Sequence, residues 1–213
     1  LAGVFFGSLV IVIVGVVDDL YALRPEKKLI GQIAAALVLV LCGIRFDFLN
    51  DVIGEHPVIS GAVTVVWIIM MTNALNFLDN MDGLCAGVSA IAALAFFACV
   101  LPTHQTFVCV LLMVFVGAVS GFLYHNFSPA RIFMGDAGAM FCGYILATVG
   151  VLGTFYTADA TPSRIALAAP LLALSVPVFD TFSVVYIRWR RGESIMKGDK
   201  RHFSHRLVEV GMT

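Results

Sequence analysis

The run Leu1-Ala-Gly-Val-Phe-Phe-Gly-Ser-Leu-Val-Ile-Val-Ile-Val-Gly-Val-Val17 carries no charge and ends on two adjacent acids, Asp18-Asp19. About 20 mostly apolar residues are what an α-helix needs to cross a lipid bilayer. About seven segments approach that length: Leu1–Val17, Leu29–Phe46, Val58–Asn73, Gly83–Leu101, Thr106–Tyr124, Ala137–Thr157 and Ile165–Ile187. Carboxylates gather at the ends of these segments: Asp18-Asp19, then Asp79 and Asp82, then Asp136, with Asp180 inside the last one. A charge near hydrocarbon costs kilocalories unless it is hydrated, paired or bound to a cation, so this placement points to a built site.

Composition agrees. Apolar residues make up 60% of the chain and charged residues 13%, with a mean hydropathy of +0.97. Soluble domains carry roughly 25% charge. The fold expected is therefore an all-α, polytopic membrane helical bundle, one transmembrane catalytic domain over 1–213 in which 188–213 form a basic cytoplasmic loop. The net charge is −1, and no basic block outside that loop is large enough to track nucleic acid, which excludes DNA and RNA as partners. The five cysteines lie within or beside apolar runs without C-x-x-C spacing, so they read as small core residues rather than a disulfide framework or a zinc site. The first segment has no basic start and is not a signal peptide.

Lys and Arg in the connections set the orientation. Arg24, Lys27 and Lys28 follow the first segment, Arg131 follows the fifth, and Arg188, Arg190, Arg191, Lys197, Lys200, Arg201 and Arg206 follow the seventh. The alternate connections hold only Arg45 and Arg164. By the positive-inside rule the N-terminus of this stretch is outside and the odd connections are cytoplasmic. That places Asp18-Asp19, Asp79, Asp82, Asp136 and the histidine-bearing tail on one membrane face.

Hard cations such as Mg²⁺ take oxygen ligands, usually one or two carboxylates together with substrate phosphates and water. Asn73, Asn76 and Asn126 add hydrogen-bonding groups without charge. Gly83, Gly135 and Gly138 let backbone approach a ligand. Phosphoryl transfer needs mainly positioning and charge neutralisation, which this inventory supplies.

Four motifs occur in order: Val-Val-Asp18-Asp19-Leu; Asn73-x-x-Asn76-x-x-Asp79-x-x-Asp82-Gly-Leu; Asn126-Phe-Ser-Pro-Ala-Arg-Ile-Phe133-Met-Gly-Asp136-Ala-Gly; and Asp199-Lys-Arg-His202-Phe-Ser-His205-Arg-Leu. From Val16 to Thr213 the sequence resembles the polyprenyl-phosphate N-acetylhexosamine-1-phosphate transferases, glycosyltransferase family 4. The resemblance implies a multi-pass enzyme of the bacterial inner (plasma) membrane with its active site on the cytoplasmic face. Such an enzyme moves a HexNAc-1-phosphate from a UDP-sugar to polyprenyl (undecaprenyl) phosphate, releases UMP, and begins a lipid-linked cell-wall or surface glycan, lipopolysaccharide or teichoic acid among them. The cofactor implied is Mg²⁺, with Mn²⁺ as the alternative. The partners implied are the UDP-N-acetylhexosamine and the polyprenyl phosphate, with a second copy of the chain as a further candidate.

The same resemblance implies residue roles. Asp136 would bind the metal, with Asp18 and Asp19 beside it and the reacting phosphates, one of that pair deprotonating or orienting the lipid phosphate. Asn126, Phe133 and Asp82 would contact the uridine, Phe133 by stacking. Asn76 and Asp79 would shape the site, and Asn73 and Asn76 would contact substrate. His202 and His205, with Arg201 and Arg206, would hold the diphosphate or the lipid phosphate, and Lys27 and Lys28 would add positive potential.

Pro177-Val-Phe-Asp180-Thr181 followed by Arg188-x-Arg-Arg191 resembles the N-acetylglucosamine branch, which implies UDP-GlcNAc as donor; the phospho-N-acetylmuramoyl-pentapeptide transferases of the same family are the alternative. The family's closing Ser is Ala139 here, and its His-x-His-His reads His202-Phe-Ser204-His205. The family has ten or eleven spans, so the stretch is expected to be a fragment missing spans at both ends. A cation-coupled transporter is a weaker reading, because transporter carboxylates sit near the bilayer midplane. A CDP-alcohol phosphatidyltransferase does not fit, since Asp82-Gly83 is followed by Leu84-Cys85.

The orientation is open to test. In a background without native cysteines, a cysteine at Lys27 should resist an impermeant thiol reagent in intact cells, and one at Thr103 should be labelled. The reverse pattern would place the acidic cluster on the outer face.

Overall fold

The structure, a computed structural model, describes residues 1–46, 56–153 and 171–192. Arg201, His202, His205 and Arg206 lie outside the described residues, as do the end of the sixth predicted segment and the start of the seventh. The described elements are α1 (Ala2–Tyr21), α2 (Pro25–Leu41), α3 (Pro57–Leu78), α4 (Leu84–Val100), α5 (Thr106–Asn126), α6 (Gly135–Leu152) and α7 (Ser175–Arg191), with a 3₁₀ turn (Leu101–Thr103) after α4. Among the described residues, five stretches are long and apolar enough to cross a membrane: Ala2–Tyr21, Pro57–Leu78, Leu84–Thr103, Thr106–Asn126 and Gly135–Leu152. The helices α2 and α7 have 17 described residues each and fall short of that length.

The chain is an all-α, multi-pass membrane protein. Phe5, Phe6, Leu9 and Ile13 of α1 and Val110, Met113 and Val114 of α5 are exposed on outward faces. Water would penalise such surfaces and lipid does not, while the helices satisfy their own backbone groups.

Two helix boundaries differ from the hydropathy reading in ways that matter for the site. The helix α2 begins at Pro25 rather than Leu29, because a proline at the first position has its φ preset for a helix and needs no amide partner there. Lys28 therefore sits on a helix instead of in a connection. The helix α3 continues past Asn73 to Leu78, and its last turns bury Leu75 and Leu78. Asn73 and Asn76 thus share one helix face, whereas Asp79 caps the helix end and Asp82 lies in the turn before α4.

The centre of the bundle is α6, which packs against α3, α1 and α4. It is buried almost continuously from Ala139 to Gly150. Between helices in lipid, close van der Waals packing replaces the hydrophobic effect, and small residues make it possible. A Cβ on Gly143 would lie 2.7 Å from the Thr72 Cα and 2.8 Å from the Met71 carbonyl oxygen of α3. One on Gly15 of α1 would lie 2.3 Å from the Ala137 Cα of α6. The Trp67 Nε1 donates to the Ala147 carbonyl at 3.0 Å, fixing α3 to α6 further along.

Gly143→Ala should therefore force α3 and α6 apart and cost about 1–3 kcal/mol, the usual range for overpacking. Gly121→Ala, on an open face of α5 with nothing within 4 Å, should leave stability unchanged or slightly raised. Thermal unfolding of the two variants in detergent measures the contrast.

Candidate active site

One end of the bundle collects the close of α1, α3 and α5 and the start of α2, α4 and α6. The close of α1 is fixed by Asp18 itself: its backbone carbonyl accepts the Ala22 N–H at 2.8 Å and its Oδ1 accepts the Leu23 N–H at 2.8 Å. Asp18 is only 7% exposed, and its remaining oxygen, Oδ2, lies 2.7 Å from the Lys28 ammonium. The same ammonium is 3.0 Å from the Asp136 Oδ1 and donates to the Asn76 Oδ1 at 2.8 Å. The Asn76 amide nitrogen in turn donates to Asp136 Oδ1. Lys28 therefore joins α1, α2, α3 and α6 through one charge.

Asp19 has a different task. Its Oδ1 accepts the Asp136 N–H at 2.8 Å and its Oδ2 accepts the Ala137 N–H at 3.1 Å, so the carboxylate caps the positive end of α6. Gly135 adopts φ +65, and a Cβ there would come within 2.9 Å of the Asp19 Oδ2. Only glycine accepts both constraints. Asp19 thereby aims the first turn of α6, and with it Asp136.

Asp79 is half-buried beside this cluster. Burial, and then the nearby charges of Asp136 and Asp19, push its carboxyl up to about 6. The site holds more negative charge than Lys28 offsets.

A second group of residues supports a loop. Asn126, 3% exposed at the end of α5, accepts the Gly83 N–H on Oδ1 at 3.0 Å and donates from Nδ2 to the Ile132 carbonyl at 2.8 Å. Asp82 Oδ2 accepts the Ala130 N–H at 3.0 Å. Both side chains hold the 127–134 loop against the turn before α4. Phe133, on that loop, is 79% exposed, so its ring is open to a ligand.

The structure brings Asp18, Asp19, Asn76, Asp79 and Asp136 together, with Asp82, Asn126 and Phe133 on the adjoining loop. Asn73 lies one turn deeper and is paired with Gln32. Asp180 and Arg188 are buried on α7. Lys28, which the sequence marked only as a source of positive potential, is the centre of the cluster, and Gln32 escaped notice. The signal for both was their four-residue spacing on what proves to be a helix, hidden because hydropathy starts that segment at Leu29.

The family model for glycosyl transferase family 4 matches residues 1–154. The chain belongs to that family. It is 32% identical over 211 residues to a Bacillus subtilis protein named probable undecaprenyl-phosphate N-acetylglucosaminyl 1-phosphate transferase, a match covering 97% of this chain and 58% of the relative. It is 36% identical over 231 residues to the decaprenyl-phosphate N-acetylglucosaminephosphotransferase of Mycolicibacterium smegmatis, covering 99% of this chain and 57% of the relative. A phospho-N-acetylmuramoyl-pentapeptide-transferase of Desulforudis audaxviator is 33% identical over 206 residues, covering 87% of this chain and 58% of the relative. The chain thus spans a little over half the length of these family members.

Among the described residues, no three His, Cys, Asp or Glu side chains converge to hold a metal ion by themselves. The oxygen donors nevertheless suit Mg²⁺, which needs only one or two protein carboxylates when phosphates and water complete its shell. Asp18 and Asp136 already share one cation, the Lys28 ammonium, with the Asn76 amide oxygen beside them. These oxygens are placed where they could hold a divalent cation.

Lys28→Met would leave both carboxylates without that charge. Breaking one partner of a fully buried ion pair costs about 3–5 kcal/mol; with Lys28 16% and Asp136 34% exposed the cost should be smaller, and in chelator-treated protein the unfolding midpoint should fall accordingly. Lys28→Met combined with Asp18→Asn should recover much of the loss. A single variant as stable as wild type would show that the ion pairs contribute nothing to the bundle.

Proposed function

We propose that the protein transfers N-acetylglucosamine-1-phosphate from UDP-GlcNAc to a polyprenyl phosphate, releasing UMP. The observation that carries this reading is the convergence of Asp18, Lys28, Asn76 and Asp136 at helix ends of a membrane bundle, beside a loop that presents Phe133. The relatives named for this reaction, with undecaprenyl or decaprenyl phosphate, support it. Lys and Arg placement supports a cytoplasmic face of the bacterial inner membrane as the site's location.

In this reaction an oxygen of the lipid phosphate attacks the β-phosphorus of the UDP-sugar. The bond from that phosphorus to the bridging oxygen breaks, and UMP leaves with the bridging oxygen. A divalent cation, when bound, supplies neutralising charge to the diphosphate. Asp18 is the better placed of the two adjacent acids to orient the lipid phosphate or take its proton, because both oxygens of Asp19 are engaged by α6 amides. Asp19 and Asn76 hold Asp136 in place. Phe133 stacks on the uracil, with Asn126 and Asp82 keeping its loop in position. Arg201, His202, His205 and Arg206 are proposed, from the family motif, to hold the diphosphate or the lipid phosphate.

A UMP-release assay on the intact protein in detergent with undecaprenyl phosphate tests the reading. UDP-GlcNAc should be turned over, and UDP-N-acetylmuramoyl-pentapeptide should not; the opposite preference would move the protein to the other named branch of the family. Stacking on a base is worth about 1–3 kcal/mol, so Phe133→Ala should raise KM for the UDP-sugar roughly 5-fold to 150-fold, with kcat and the KM for lipid phosphate changed little. An unchanged KM would place the uridine elsewhere.

A further inference from the structure

Directly beneath the acidic cluster lies a second polar layer on the same three helices. On α2, Gln32 is one turn inward of Lys28; on α3, Asn73 is one turn inward of Asn76; on α6, Met140 is one turn inward of Asp136. Gln32, only 1% exposed, donates from Nε2 to the Asn73 Oδ1 at 3.2 Å, and Asn73 donates from Nδ2 to the Gln32 Oε1 at 2.7 Å. The Gln32 Nε2 also contacts the Met140 Sδ at 3.6 Å, and the Asn73 Nδ2 contacts the Ile69 carbonyl at 2.8 Å. The amide pair is reciprocal, with Gln32 buried and Asn73 partly buried.

We propose that Gln32 and Asn73 form a positioning pair that sets the register of α2 against α3 and so places the Lys28 ammonium among Asp18, Asn76 and Asp136. The Lys28 side chain is a flexible stem with many rotamers, and its own contacts at the rim do not fix the rotation of α2. Two carboxamides that satisfy each other, one of them buried and the other partly so, do fix it. Turning or sliding either helix would leave buried donors and acceptors without partners, since one helical turn is 5.4 Å and a hydrogen bond tolerates a few tenths of an ångström. Asn73 then acts through Asn76 and Lys28 rather than on substrate, unlike the substrate contact its motif implies. The inference rests on the proposed transferase reaction for its kinetic consequence, but its structural content stands apart from it.

The test compares Gln32→Leu, Asn73→Leu, the Gln32→Leu/Asn73→Leu double variant and the exchange variant Gln32→Asn/Asn73→Gln in the intact protein. Each single variant leaves an orphaned amide and should lower both the unfolding midpoint and kcat. Replacing both partners by apolar side chains is often close to neutral for stability. The Leu/Leu variant should therefore recover the unfolding midpoint while kcat stays down by about tenfold or more, the scale on which small misplacements act, with KM for the UDP-sugar little changed. The exchange variant keeps the reciprocal pair and should recover both. A Leu/Leu variant with wild-type kcat would overturn the proposal, reducing the pair to a stabilising contact.

Reductive methylation of Lys28, followed by peptide mass spectrometry, reads the same device without turnover. Lys28 should be modified faster in the Leu variants than in wild type, and at the wild-type rate in the exchange variant. Equal rates throughout would overturn the positioning role. If the wild-type protein released UMP from no UDP-sugar, the transferase reading would fail, and the methylation rates would still decide this inference.

Discussion

Two carboxylates at the rim of a hydrocarbon core repel each other and lose hydration, and in this protein the Lys28 ammonium makes their shared position tolerable. Its contacts at 2.7 Å and 3.0 Å tie Asp18 on α1 to Asp136 on α6, and its bond to Asn76 adds α3. A buried ion pair gains little over water unless its remaining hydrogen-bonding capacity is also met. Here it is met locally: Asp18 accepts the Leu23 amide, and Asp136 accepts from Asn76. The pairing therefore offsets part of the cost of the cluster, while Asp19 and Asp79 leave an excess of negative charge around its dense set of oxygens.

The same constraint explains the packing. Three helices must deliver the short side chains of Asp18, Asn76 and Asp136 to one ammonium, so their axes have to lie close together. Gly15 and Gly143 permit the approach of α6 to α1 and α3 at backbone distance. Asp19, capping α6, converts that approach into an orientation for Asp136. Packing and site are thus one arrangement in this region, and a substitution at Gly143, deep in the bundle, would be felt at the carboxylates.

The loop face follows another logic. Asn126 and Asp82 give their side chains to backbone groups of the loop and the neighbouring turn, and Phe133 is left exposed. The charge cluster, anchored on buried Asp18 and cross-linked through Lys28, holds its members closely in position. An exposed ring on a braced loop suits a flat, sequence-tolerant contact such as stacking on a base.

Much of this was legible in the residues alone. Apolar runs of bilayer length fix the helical, membrane-spanning class, because backbone groups in lipid must be satisfied within each segment. The ordered motifs around Asp18, Asn76, Asp136 and His202 identify the family and the acidic site, since the chemistry needs those residue types wherever the helices place them. What hydropathy could not decide was where α2 begins and how far α3 runs. The first depends on Pro25, a local start signal that hydropathy does not weigh, and the second on the burial of Leu75 and Leu78 and on partners for Asn73 and Asn76, which are contacts between helices. For the same reason tertiary structure alone separated Asp18 from Asp19, adjacent in sequence but turned to different partners, and alone made Lys28 and Gln32 visible, because a charge or an amide acquires its role from the groups that other helices bring to it.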